Sequence, residues 1–179
     1  MTTEKLGFIG LGTMGLPMSL NLLNAGNDLA IWGRNPDKLK DAVIAGGELM
    51  ATPKNLGEIC DVIFLCVFDS NAVNEIVFGR DGIAKGASKN LMIVDHSSIH
   101  PEHTREMAKK LKNETGASWV DCPVSGGRYG ARDGTLVMMA GGEKKNIERL
   151  RPIVTATSQR LTHMGPVGCG QATKLVNQA

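Results

Sequence analysis

The sequence predicts an α/β fold, a doubly wound, mostly parallel sheet with helices on both faces. Three observations predict it. Short apolar strands alternate with amphipathic helices almost from end to end. One run, Val62 to Val67, is apolar without a break, the pattern of a strand buried on both faces. The first strand, Leu6 to Ile9, runs straight into Gly10-Leu11-Gly12-Thr13-Met14-Gly15, a G-x-G-x-x-G at a strand-to-helix junction.

The elements follow in order. After the glycine loop, Leu16 to Ala25 carries the helical period and Gly26 closes it. Leu29 to Trp32 is the second strand. Pro36 stands at a helix N1 position, Asp37 to Ala45 continues the helix, and Gly46-Gly47 stops it. A weak strand near Leu49 and a short helix from Lys54 to Cys60 precede the Val62–Val67 strand. A helix over Ala72 to Phe78, a strand over Leu91 to Val94 and a helix over Pro101 to Lys112 come next. Ser118 to Asp121 is a strand, and Pro123 to Gly127 is a loop. Leu136 to Ala140 is a strand, Lys144 to Thr157 one helix, and Arg160 to Met164 a last strand. Gly165 to Gly170 reads as a loop, and a new helix starts near Gln171. Crossovers of this kind make a parallel sheet, and ligands of such sheets bind beyond the carboxyl ends of the strands.

Composition narrows the function classes. The chain has 179 residues, 42% hydrophobic and 21% charged, with a formal net charge of +2. That balance is an ordinary globular one and gives no basis for a nucleic-acid partner. Lys109-Lys110 and Lys144-Lys145 fall on helix faces expected to be solvated. Cys60, Cys66, Cys122 and Cys169 have neither zinc-site nor disulfide-framework spacing. His100 and His103 straddle a helix start and read as surface residues, so no metal is expected. Asp95, His96 and Ser97 are adjacent in sequence, which is no evidence for a catalytic triad. No apolar run spans a membrane and no signal peptide opens the chain, so a cytoplasmic protein is expected.

The glycine loop carries the first chemistry. Gly10 permits a tight turn, Gly12 lets a pyrophosphate approach the backbone, and Gly15 lets the helix pack against the strand. The helix N-terminus directs free N–H groups at the phosphates. A dinucleotide is therefore the expected ligand, held by Gly10, Leu11, Gly12, Thr13, Met14 and Gly15. The second strand ends in Gly33-Arg34-Asn35, with no carboxylate to select a free ribose 2′-hydroxyl. Arg34 offers a planar cationic fork suited to a 2′-phosphate, Asn35 beside it is a further expected cofactor contact, and Lys38 lies one helical turn on. NADP is expected over NAD. If Arg34 only stacks on the adenine, either cofactor fits.

Two further segments carry chemistry. Ser125-Gly126-Gly127 offers a hydroxyl and bare backbone N–H groups able to hold a small carboxylate; a plain turn would have the same composition. If Gln171 to Gln178 is helical, Lys174, Asn177 and Gln178 share a face. A lysine in a cleft can give and recover the proton that a carbonyl oxygen needs when hydride reaches its carbon. An exposed helix lysine has the same sequence signature.

The runs GFIGLGTMGLPM (7–18), DCPVSGG (121–127) and GCGQATKLVNQ (168–178), with DGTLVMMAGG (133–142), resemble the signatures of the β-hydroxyacid dehydrogenase family, related to 6-phosphogluconate dehydrogenase. The resemblance covers essentially the whole chain and implies a Rossmann-like fold. It also implies hydride transfer between NAD(P) and a small 3-hydroxy acid or its semialdehyde. It assigns Lys174 as the acid/base and Ser125, Gly126 and Gly127 as substrate-binding. Many relatives carry two asparagines where this chain has Asn177-Gln178, so either side chain can be the one that assists. Val67 and Phe68 stand where the family commonly has Leu-Pro beside the cofactor, and Ser98 matches a position near the nicotinamide ribose.

Family members continue into an all-helical C-terminal domain that closes the cleft and mediates dimers. Here that domain is expected to be absent. Residues 1–165 form the NAD(P)-binding domain, and residues 166–179 a loop and the start of the interdomain helix. So short a helix is marginal by itself, so Lys174 is expected to fray. The 179 residues are expected to bind cofactor and to turn over little substrate, and the complete protein to be a homo-oligomer. The alternatives are a 6-phosphogluconate or imine reductase and a non-catalytic nucleotide-binding or scaffolding module.

Overall fold

A computed structural model of the chain describes residues 3–178; Met1, Thr2 and Ala179, at the outer ends of the two expected segments, lie outside them. Five parallel pairings build the sheet over β1 (Leu6–Ile9), β2 (Leu29–Trp32), β3 (Glu48–Leu49), β4 (Val62–Leu65), β5 (Met92–Asp95) and β6 (Ser118–Asp121). Their order, β3-β2-β1-β4-β5-β6, is that of the dinucleotide-binding doubly wound fold. Beyond β6 the sheet changes direction. β8 (Leu136–Gly141) pairs antiparallel with β6 and with the two-residue β7 (Val124–Ser125), and β9 (Ser158–Gly165) pairs parallel with β8.

The apolar run at β4 has the predicted explanation. Val62 and Phe64 enter one hydrophobic cluster and Ile63 and Leu65 the other, because successive side chains of a strand point to opposite faces. On the first face lie Met18 and Leu22 of α1 (Gly15–Asn24), Ala131 of α6 (Gly127–Asp133) and Ile147 and Leu150 of α7 (Lys144–Leu150). On the second lie Leu56 of α3 (Pro53–Ile59), Val73 and Val77 of α4 (Ser70–Phe78) and Met107 and Leu111 of α5 (Pro101–Thr115). Burial on both faces is what the expected helices on both sides require.

The structure corrects four expectations. The helix at Pro36 opens as a 3-10 turn over Pro36–Leu39 before α2 (Lys40–Ile44). The helix expected over 144–157 ends at Leu150, because Pro152 has no N–H to continue it; a 3-10 turn over Ile153–Ala156 follows. The loop expected over 123–127 contains β7 and leads directly into α6. The last helix, α8 (Cys169–Gln178), begins two residues earlier than expected.

Candidate active site

The glycine loop sits where β1 turns into α1. Gly10 has φ +96°, a left-handed conformation, and a Cβ there would strike the carbonyl of Cys66. A Cβ on Gly15 would overlap the carbonyl oxygen of Gly10. Gly12 is different: a Cβ there meets nothing within 4 Å. Two glycines are thus required by the protein's own packing. The third faces open space, the cradle that a closely approaching pyrophosphate would fill.

That space is a cleft of about 490 Å³. It brings together Gly10 to Gly15, Arg34, Asn35, Lys38, Val67 and Phe68, which are all but one of the residues expected at the cofactor. The exception is Ser98, exposed on the loop after β5 and outside the lining. Arg34 and Lys38 are exposed, and neither is in an ion pair among the described residues; the neighbouring Asp37 is engaged by Lys40. Asn35 also caps the turn after β2, its Oδ1 accepting the Asp37 N–H at 3.0 Å. Phe68 is 94% exposed at the mouth of the cleft, an aromatic face with no place in the core.

The other two segments are both carried by β8. Ser125 pairs with Val137, and the chain then turns on Gly126 (φ +127°) and Gly127 (φ +59°) into α6. Two consecutive left-handed residues explain why glycine occupies both positions. On the same strand, α8 packs so closely that a Cβ on Gly170 would strike the Met139 carbonyl. Lys174, one turn on, is buried, while Asn177 and Gln178, three and four residues later on the same helix face, are exposed.

The helix holding Lys174 is tethered rather than frayed. The Asp121 carboxylate accepts the Gly168 N–H at 2.7 Å and the Gln171 N–H at 2.9 Å. Burial pushes the Asp121 carboxyl up, and these N–H donors act against that rise. Gln171, 1% exposed, donates to the Ser97 carbonyl at 2.6 Å and accepts the Ile99 N–H at 3.2 Å. Sequence reasoning placed Asp121 and Gln171 inside motifs without giving either a task. The available signal was an amide side chain, Gln171, three residues before the lysine and preceded by Gly168 and Gly170.

Asp95 and His96 form no relay. The Asp95 Oδ1 accepts the Ser97 N–H at 2.9 Å, and its Oδ2 has no hydrogen-bond partner among the described residues. His96 Nδ1 lies 2.7 Å from the Cys122 carbonyl, which can only accept, so Nδ1 carries the proton. The ring stacks on Phe64 with centroids 5.5 Å apart. Burial pushes Asp95 up to about 7 from 3.8 and His96 down to about 4 from 6.5. Folded Asp95 keeps a proton that the unfolded chain releases, so its contribution is complete below about pH 4 and lost as the pH rises to about 7. The contribution of His96 runs the other way, complete above about pH 6.5 and lost as the pH falls towards 4. Asp95→Asn removes only the first. From pH 5 to pH 8 the variant should gain about 1–3 kcal/mol of stability relative to wild type. Urea unfolding at the two pH values measures it, and a pH-independent difference would refute the assignment.

The remaining candidates are structural. Burial pushes the thiols of Cys60 and Cys66 up to about 12, and that of Cys122 up as well. Such thiols are not nucleophiles at neutral pH. His100 caps α5 by accepting the Glu102 N–H at 3.2 Å. Among the described residues no three His, Cys, Asp or Glu side chains could hold a metal, and no helix is long and apolar enough to cross a membrane.

Comparison with known proteins matches this geometry. Residues 5–165 match the NAD binding domain of 6-phosphogluconate dehydrogenase. The chain is 41% identical over 175 residues to the 2-hydroxy-3-oxopropionate reductase of Escherichia coli, covering 97% of this chain and 59% of that protein. It superposes with TM-score 0.91 on the 3-hydroxyisobutyrate dehydrogenase of Mycobacterium tuberculosis, at 29% identity, covering 98% of this chain and 59% of that one. A TM-score of 0.91 also relates it to Psf3 in complex with NADP+ and 2-OPP, at 28% identity and with 96% and 61% coverage. The chain thus spans about three-fifths of the length of these relatives. Strand order, glycine loop and family match agree that the chain belongs to the β-hydroxyacid dehydrogenase family, as an N-terminal NAD-binding domain of the 6-phosphogluconate dehydrogenase type.

Proposed function

We propose that the chain is the cofactor domain of an NADP-preferring oxidoreductase acting on a small 3-hydroxy acid or its semialdehyde. The candidates include 3-hydroxyisobutyrate, tartronate semialdehyde, glyoxylate and succinic semialdehyde. The observation that carries the reading is the cleft in which the open side of Gly12 and the cations Arg34 and Lys38, in no ion pair among the described residues, line one space. The named activities of the reductase and dehydrogenase relatives support the substrate class. The NADP+ bound by Psf3 supports the cofactor.

The residues divide the work. The loop N–H groups over 10–15 hold the pyrophosphate, and Arg34 and Lys38 hold the 2′-phosphate. Val67 and Phe68 line the wall towards the reacting end, with Ser98 beside it. Ser125 and the N–H groups of Gly126 and Gly127 hold the substrate carboxylate. Lys174 donates a proton to the carbonyl oxygen in reduction and takes it back in oxidation, with Asn177 or Gln178 orienting the substrate. The nicotinamide, when bound, supplies or accepts the hydride.

Arg34→Ala should weaken NADPH binding about tenfold, as expected for loss of a charge-assisted contact, and leave NADH within about twofold. Fluorescence titration of both reduced cofactors measures it, and equal losses would favour adenine stacking. The reaction is tested by following NADPH oxidation by the full-length protein with glyoxylate and the C3 and C4 semialdehydes. Turnover with at least one is expected. Tight NADPH binding without turnover on any of them would favour a non-catalytic module.

A further inference from the structure

The tether of α8 does more than cap a helix. Gln171 bonds the loop after β5 at two points, the Ser97 carbonyl and the Ile99 N–H. The hydroxyl of that same Ser97 accepts the N–H of Val67, a residue lining the cofactor cleft, at 3.0 Å. A continuous path, half-buried at Val67 and buried at Ser97 and Gln171, therefore joins the cleft wall to the helix that carries Lys174. Asp121 fixes the helix start from the other side, through the N–H groups of Gly168 and Gln171. Gly141 and Gly170 give up side chains to make room, since a Cβ on either would come to 2.5 Å and 2.9 Å, respectively, from an Asp121 oxygen. Gln171 and Asp121 are each bonded at two points, and buried hydrogen bonds of this kind rigidify the groups they join.

We propose that Gln171, backed by Asp121, is a positioning residue that sets Lys174 in register with the cofactor cleft. The proposal rests on the reading of Lys174 as the proton donor. Gln171 touches neither reactant; it acts by holding the donor at the correct distance from the carbonyl that receives hydride. Misplacing a catalytic group by about 1 Å costs on the order of 100-fold. Glutamate at this position is the informative conservative change. Ionised, it can accept from the Ile99 N–H but opposes the Ser97 carbonyl; protonated, it can donate as glutamine does.

The test is a double-mutant cycle in the full-length protein with Gln171→Ala and Lys174→Ala. Gln171→Ala should lower kcat about 10- to 100-fold and leave the NADPH dissociation constant within about twofold. In the Lys174→Ala background the same substitution should cost less than about twofold, since it acts through the lysine. Equal costs in both backgrounds would overturn the positioning role and leave the role of Lys174 standing. A fully active Lys174→Ala would overturn both. Amide hydrogen exchange supplies a readout free of turnover: the amides of α8 should exchange faster in Gln171→Ala, and unchanged protection would overturn the proposal. If Gln171→Ala does not fold, Gln171→Glu takes its place. Its kcat should rise relative to wild type as the pH falls and the glutamate becomes a donor, and a flat ratio would overturn the proposal.

Discussion

Gly15→Ala should lose about 3 kcal/mol or more of stability, while Gly12→Ala should fold normally and lose at least about tenfold in NADPH affinity. The two residues are three apart in one loop, yet their surroundings differ completely. A Cβ on Gly15 overlaps the backbone oxygen of Gly10, which no rotamer change relieves. A Cβ on Gly12 meets no protein atom within 4 Å, and its φ is not in the left-handed range, so alanine costs the free protein little. Its cost appears when a pyrophosphate must approach. Thermal unfolding and cofactor titration of both variants separate the two effects. A destabilised Gly12→Ala, or one that binds NADPH normally, would contradict this account of the loop.

Lys174→Ala should reduce kcat about 100-fold or more, the scale of general acid–base catalysis, with NADPH affinity within about twofold of wild type. The side chain is buried, a cost that an ordinary solvated lysine would not incur, on a helix whose first turn is fixed to the end of β6 and to the loop after β5. Methionine at this position fills similar space without a proton to give, so Lys174→Met should fold at least as well and be equally slow. Single-turnover measurement of NADPH oxidation reads the chemical step directly. A methionine variant with the wild-type rate would remove Lys174 from the mechanism.

Much of this architecture was legible in the sequence, for physical reasons that differ along the chain. The run at β4 needed no periodicity, because burial on both faces leaves only apolar residues. The strand-to-helix turn was legible because Gly10 and Gly15 answer steric demands made by neighbouring backbone. Legibility failed where local signals are weak. β7 has two residues, and α6 opens on glycines with positive φ, so neither carries a period. Pro152 was inside a run of helical pattern, and there the missing N–H outweighed the pattern. The site divided in the same way. The residues expected at the cofactor, Ser98 aside, line one cleft, because each follows the carboxyl end of a neighbouring strand. Asp121, Gln171 and Ser97 could not be joined by sequence alone, because their bonds span up to 74 positions.

The most direct test is a calorimetric titration of NADPH and NADH into the wild-type chain. One site is predicted, with NADPH bound at least about tenfold more tightly, the result expected if Arg34 and Lys38, which line the glycine cleft, hold a 2′-phosphate. Tighter binding of NADH, or no binding of either cofactor by the folded chain, would contradict it.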